Sequence, residues 1–163
     1  MKTHAAIGSE SSVYREFQFS WLLTGILIPV QLLIIFFYVT GLGNRPLPTN
    51  GFLMLSGLFV FLYLILYGMT TVLDKTEITL SFGIGLIRKR IKLEAVKSVE
   101  AVKNPWYYGY GIRMVPNGWL FNVSGPHAVE LRFHDRKGVV MIGTKDPLKL
   151  KNAVSILLVG SRA

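Results

Sequence analysis

Residues 17–44 read FQFSWLLTGILIPVQLLIIFFYVTGLGN and residues 46–73 read PLPTNGFLMLSGLFVFLYLILYGMTTVL, with Arg45 as the single charge between them. A helix needs about 20 apolar residues to cross a hydrocarbon core, so each run is long enough to span one with some tilt. The spans are expected at residues 19–40 and 52–73, as a two-helix membrane hairpin. A soluble protein would have to wrap both helices, and residues 74–163 supply too little chain to do so.

Basic residues orient the hairpin, because short flanking segments keep Lys and Arg on the cytoplasmic side. Lys2 and Arg15 precede the first span, and Lys75, Arg88, Lys89, Arg90 and Lys92 follow the second. The expected location is therefore the cytoplasmic (inner) membrane, multi-pass, with both termini cytoplasmic. From residue 74 onward fifteen Lys/Arg stand against seven Asp/Glu, a net of +8, which attracts anionic partners. The chain has no cysteine, so it has no disulfide framework or thiolate metal site.

Residues 1–18 form an N-terminal cytoplasmic or interfacial segment. Val13, Phe17 and Trp21 stand at helical spacing, which suggests a lead-in with Tyr14 and Trp21 at headgroup level; the same residues also fit the first turns of the span. Pro29 predicts a bend in the first helix. Gln31 and Tyr63 lie near the middle of the two spans, and an antiparallel hairpin brings midpoints to one depth. A Gln31–Tyr63 hydrogen bond is one expectation, and pairing of Gln31 with a neighbouring subunit is the other.

Beyond residue 73 the pattern changes to short alternating segments. Ile78, Leu80 and Phe82 alternate with polar residues as in a half-buried strand, and residues 83–85 make a turn. In the next segment Ile87, Lys89, Ile91 and Leu93 share one parity, and Arg88, Arg90 and Lys92 the other. Residues 94–102 fit either a strand or a helix, with a strand preferred. Residues 108–114 and 119–123 flank a Pro116-Asn-Gly118 turn as a hairpin. Val129, Leu131 and Phe133 mark the sixth strand, and residues 139–144 the seventh. Asp146 as N-cap and Pro147 at the first helical position open a final amphipathic helix with Leu150, Ala153, Val154, Leu157 and Leu158 on one face.

Seven strands followed by one amphipathic helix is the element order of a pleckstrin-homology (PH) barrel. The chain resembles bacterial membrane proteins that join a two-helix hairpin to a PH-like domain. The stretches carrying the resemblance are Gly111-Ile-Arg113, Gly118-Trp-Leu-Phe-Asn-Val-Ser-Gly125, Ala128-Val-Glu-Leu131 and Ile142-Gly-Thr-Lys-Asp-Pro147. The resemblance implies a membrane α-helical hairpin followed by a mainly-β PH-like barrel over residues 74–163, its open end plugged by the C-terminal helix. It also implies a binding scaffold, not an enzyme, although a fold alone does not specify function. Lipid-binding PH domains hold headgroup phosphates with basic residues around the first two strands and their loop. Here that loop, residues 82–85, has no charge, and Arg88, Lys89 and Arg90 lie further along the second strand.

His4, His127 and His134 show no metal-ligand spacing, no phosphate loop or nucleophile elbow occurs, and no cofactor is implied. The aromatic cluster Trp106, Tyr107, Tyr108, Tyr110 and Trp119 fits barrel packing, with Trp106 at the bilayer interface, better than nucleic-acid stacking. The function expected is binding of a protein partner or of another copy at the cytoplasmic membrane face. Anionic-lipid recognition through Arg88, Lys89 and Arg90 is the alternative, and an oligomeric channel or transport component is a third.

Overall fold

A computed structural model describes residues 13–42, 47–123, 125–135 and 137–160, with the backbone alone at Trp106. Arg45, Lys2, His4 and the start of the expected lead-in lie outside the described residues. Two helices, α1 (Trp21–Thr40) and α2 (Thr49–Leu66), are long and apolar enough to cross a membrane. No residue of either is buried within the chain, so their apolar surface faces outward. Gly41 closes α1 in the left-handed conformation at φ 63°, its N–H on the Phe37 carbonyl.

The segments flanking the hairpin are strands. Tyr14–Phe19 forms β1 and Gly68–Leu73 forms β2, paired antiparallel from Tyr14↔Leu73 to Phe19↔Gly68. The expected helical lead-in is therefore corrected to a strand, and the second helix ends at Leu66 where residues up to 73 were expected to span. Inward residues Tyr14 and Gln18 are buried while Arg15 and Phe17 are exposed, a two-residue alternation that only an extended chain produces. In β2 the β-branched Thr70, Thr71 and Val72 favour the pleated conformation.

Sheet A continues with β3 (Glu77–Phe82) and β4 (Ile87–Lys92), in the order β1-β2-β3-β4. A 3-10 turn at Leu93–Ala95 leads into β5 (Val96–Lys103), which settles the ambiguous 94–102 segment as mainly strand. β6 (Gly111–Val115), β7 (Gly118–Asn122), β8 (His127–Phe133) and β9 (Val139–Gly143) complete sheet B, ordered β5-β8-β9-β7-β6. Tyr108 belongs to a 3-10 turn before β6, where a strand was expected. The described residues thus form two sheets of four and five strands, not one seven-stranded barrel. Seven of those strands follow residue 74, and two more come from the flanks of the hairpin.

Met69, Leu73, Ile78, Leu80 and Phe82 of sheet A meet Phe121, Val129, Leu131, Val140 and Ile142 of sheet B in the main core. Fully burying one such side chain contributes about 1.5–3 kcal/mol. Helix α3 (Pro147–Gly160) adds Leu150, Val154 and Leu158, with Ala153 and Leu157 packed beside them. Its start is as expected, the Lys149 N–H donating to Asp146 Oδ1 at 2.9 Å. A smaller core on the other face of sheet B joins Val115, Leu120, Ala128, Val139 and Met141, with Tyr108 packed against it. β7 and β9 run parallel, and at Gly118 a Cβ would lie 1.9 Å from the Val139 carbonyl oxygen, so this crossing requires glycine.

A polar cluster ties β1 to the β9–α3 junction. Gln18, fully buried, donates from Nε2 to the Gly143 carbonyl at 2.6 Å. The Glu16 carboxylate accepts from the Tyr14 hydroxyl at 2.5 Å, the Thr144 hydroxyl at 2.6 Å and the Lys145 N–H at 2.7 Å. Burial, followed by the hydrogen bond to Glu16, pushes the Tyr14 phenol up to about 12.

Glu16→Ala removes the acceptor of three donors, two of them on the buried residues Tyr14 and Thr144, and is expected to cost about 1.5–3 kcal/mol in denaturation of the detergent-solubilised protein. The Tyr14 phenol is neutral in the fold at pH values where an unfolded tyrosine ionises. Its contribution to stability is therefore present below pH 10 and lost as pH rises towards about 12. Comparing stability across that window, Tyr14→Phe is expected to show a shallower decline than the parent.

Candidate membrane-surface site

The strand register measures how far each residue of sheet A lies from the hairpin. The Ser20 N–H donates to the Tyr67 carbonyl at 2.8 Å, closing the helix pair, and Phe19↔Gly68 is the first strand rung. The second rung runs Gln18, Met69, Phe82, Ile87, and the third Phe17, Thr70, Ser81, Arg88. The fourth is Glu16, Thr71, Leu80, Lys89, and the fifth Arg15, Val72, Thr79, Arg90. Each rung adds about 3.4 Å along the strands.

Side-chain parity divides the expected basic cluster. Arg88 and Arg90 project from the outer face with Arg15 and Lys92, whereas Lys89 shares the inward parity of Leu80 and Ile91 and is exposed because β4 is an edge strand. Arg15 and Arg90 stand on one rung at opposite edges of sheet A, about 14 Å apart across three strand spacings, a shared height hidden in the sequence because the hairpin separates them. The outer face also carries Glu77, whose carboxylate is 3.9 Å from Arg90 Nε. Arg88 Nε donates to the Gly85 carbonyl at 2.8 Å, which ties its stem to the β3–β4 turn.

That turn sits against the last turn of α2. The Ile84 N–H donates to the Leu64 carbonyl at 3.1 Å and the Gly83 N–H to the Gly68 carbonyl at 2.8 Å. Gly83 has φ 50°, and a Cβ there would lie 2.0 Å from the Leu64 oxygen. Ile84 and Leu86 remain 56% and 61% exposed beside an apolar helix. Two large apolar residues in a glycine-flanked turn were a signal available in the sequence and passed over there.

Of the expected interfacial aromatics, Trp21 is exposed and packs edge-on against Phe19 with ring centroids 4.8 Å apart. Tyr14 is instead buried on the sixth rung, so its headgroup placement is corrected. The Trp106 side chain lies outside the described residues. Tyr107, Met114 and Trp119 are exposed, and Met114 faces Trp119 across the β6–β7 pair.

Inside the hairpin Gln31 Nε2 donates to Ser56 Oγ at 3.1 Å, not to Tyr63. The reason is the register: Tyr38 meets Thr49 at 3.2 Å, Gln31 meets Ser56 and Ser20 meets Tyr67, a constant offset that sets Tyr63 level with Thr24. Tyr63 lies beside Tyr67, ring centroids 6.0 Å apart.

At the end of β8 and β9 remote from Gly143 lies an open polar groove of about 520 Å³, lined by Lys97, Glu130, Arg132, His134, Asp135 and Lys137 among others. Arg132 donates to Glu130 at 2.8 Å and lies 3.7 Å from Glu100, and these carboxylates hold its guanidinium pKa above the usual arginine value. Among the described residues no three of His, Asp and Glu stand together as a metal site would require.

No family model, curated protein or solved structure matches the chain. The two apolar helices, the two sheets and the terminal helix therefore stand on the structure alone.

Gly83→Ala and Gly125→Ala both place a side chain at positive φ, but only at Gly83 does the new Cβ meet backbone oxygens; Gly125 has open space. The Gly125 change is expected to cost about 1–2 kcal/mol and the Gly83 change distinctly more. Parallel thermal denaturation of the two variants in one detergent reads the difference.

Proposed function

We propose that this chain is a non-catalytic binding module held at one face of a membrane, where its two-sheet domain docks a protein partner or a second copy. The observation that carries the reading is the pairing of β1 with β2. Because these strands bracket the hairpin, the domain joins the helices through two strands at once, with no flexible linker. A module attached in this way presents a constant side to the cytoplasm and a constant side to the bilayer.

The exposed Tyr107, Met114 and Trp119 supply apolar and aromatic area of the kind that anchors partners. The order of the strands from β3 to β9 followed by α3 supports a PH-like scaffold. The excess of Lys and Arg after the second helix supports the cytoplasmic face of the inner membrane, with both termini there.

The test places a photo-cross-linking residue at Met114 or Trp119 of the full-length protein in its native membranes. A discrete adduct, at dimer mass or at the mass of one partner, is expected from these positions and not from Lys145. Monomer alone at both positions would overturn the docking surface.

A further inference from the structure

The outer face of sheet A next to the hairpin has cations and apolar side chains in a definite order of height. Ile84 and Leu86 lie at the level of the last turn of α2, because the Ile84 N–H is bonded to the Leu64 carbonyl. Arg88 stands on the third rung, about 7 Å beyond the first. Arg15 and Arg90 share the fifth, about 14 Å beyond it. The polar layer on each side of a hydrocarbon core is about 5–8 Å deep. Arg88 therefore sits within that layer, and Arg15 and Arg90 reach down to it with long side chains.

Between these cations the outer face shows Thr70, Val72, Thr79 and Ser81, half-buried and uncharged, and Phe17, exposed. Glu77 is the acidic residue on this face, on the rung of Lys92 and farthest from the helices. Unbalanced positive charge thus lies on the third and fifth rungs, between the charge-balanced Glu77–Lys92 rung and the apolar side chains beside the helices. This order suits a surface that is anionic at the headgroups and apolar below.

We propose that this face is a docking surface for anionic phospholipid headgroups: Ile84 and Leu86 enter the interface beside α2, and Arg88, Arg15 and Arg90 bind lipid phosphate oxygens. The occupant is set by charge complementarity and by continuity with the membrane-embedded hairpin. Lys89 takes no part, since it has the other parity. The inference rests on the fixed mounting described above and is independent of the protein partner.

Full-length protein reconstituted in phosphatidylcholine vesicles with a spin-labelled lipid tests it. The readout is the association of labelled phosphatidylglycerol relative to labelled phosphatidylcholine. The parent is expected to prefer phosphatidylglycerol, and each of Arg15→Gln, Arg88→Gln and Arg90→Gln to lower the preference, by up to about fivefold for Arg88. Lys149→Gln with Lys151→Gln on α3 should leave it unchanged, as should Lys89→Gln. Absence of any preference in the parent, or its full retention in the triple arginine variant, would overturn the proposal.

A second measurement separates this inference from the mounting. The chain has no cysteine, so a spin label can be placed at Ile84→Cys or Leu86→Cys alone. Oxygen-rich, nickel-poor collision at both sites is expected. Aqueous behaviour at both would refute the mounting itself. Interfacial behaviour together with an unchanged preference in the triple variant would refute headgroup binding alone.

Discussion

The antiparallel pairing of β1 with β2 is the constraint on which the rest of the molecule depends. It brings the start of α1 and the end of α2 to adjacent rungs, Ser20 against Tyr67, and so sets both the register of the hairpin and the position of sheet A beneath it. A single covalent linker would let the domain swivel. Two strands joined by a hydrogen-bonded ladder resist rotation about either chain, and the β3–β4 turn adds a third contact at Leu64.

Two kinds of interaction then hold the sheets together. The apolar core between them supplies most of the stabilisation and is non-directional. The Glu16 and Gln18 hydrogen bonds to Gly143, Thr144 and Lys145 are directional, and they fix which part of sheet B meets β1. An apolar contact could slide by a residue at small cost, but a buried amide aimed at one carbonyl cannot do so without losing its partner.

Much of the domain could be read from local pattern. Ile78, Leu80 and Phe82, the turn at Pro116-Asn-Gly118 and the Asp146-Pro147 helix start are short-range signals, and each appears where it was expected. The flanking strands could not be found in the same way. In and around β1, Val13, Phe17 and Trp21 stand at a spacing that also fits a helix, and β2 continues an uncharged run without a charged break. Its Thr-Thr-Val was the available cue. The polar cluster is hidden for another reason: Gln18 and its acceptor Gly143 are 125 residues apart. The proposed basic face was half legible: the alternation of residues 87–93 gives Arg88 and Arg90 one parity and Lys89 the other, and Arg15 shares their face only because β1 is a strand.

Because β1 is synthesised before the hairpin and β2 after it, the ladder forms only when both strands are on the same side of the membrane. Two crossings return the chain to its starting side; one crossing would leave β1 and β2 separated by the bilayer, with Gln18 and Glu16 unable to reach Gly143, Thr144 and Lys145. Were both helices to cross a membrane, the sheet domain would be completed only on the side where they begin and end, and a chain in which one span failed would be left with unpaired strand edges.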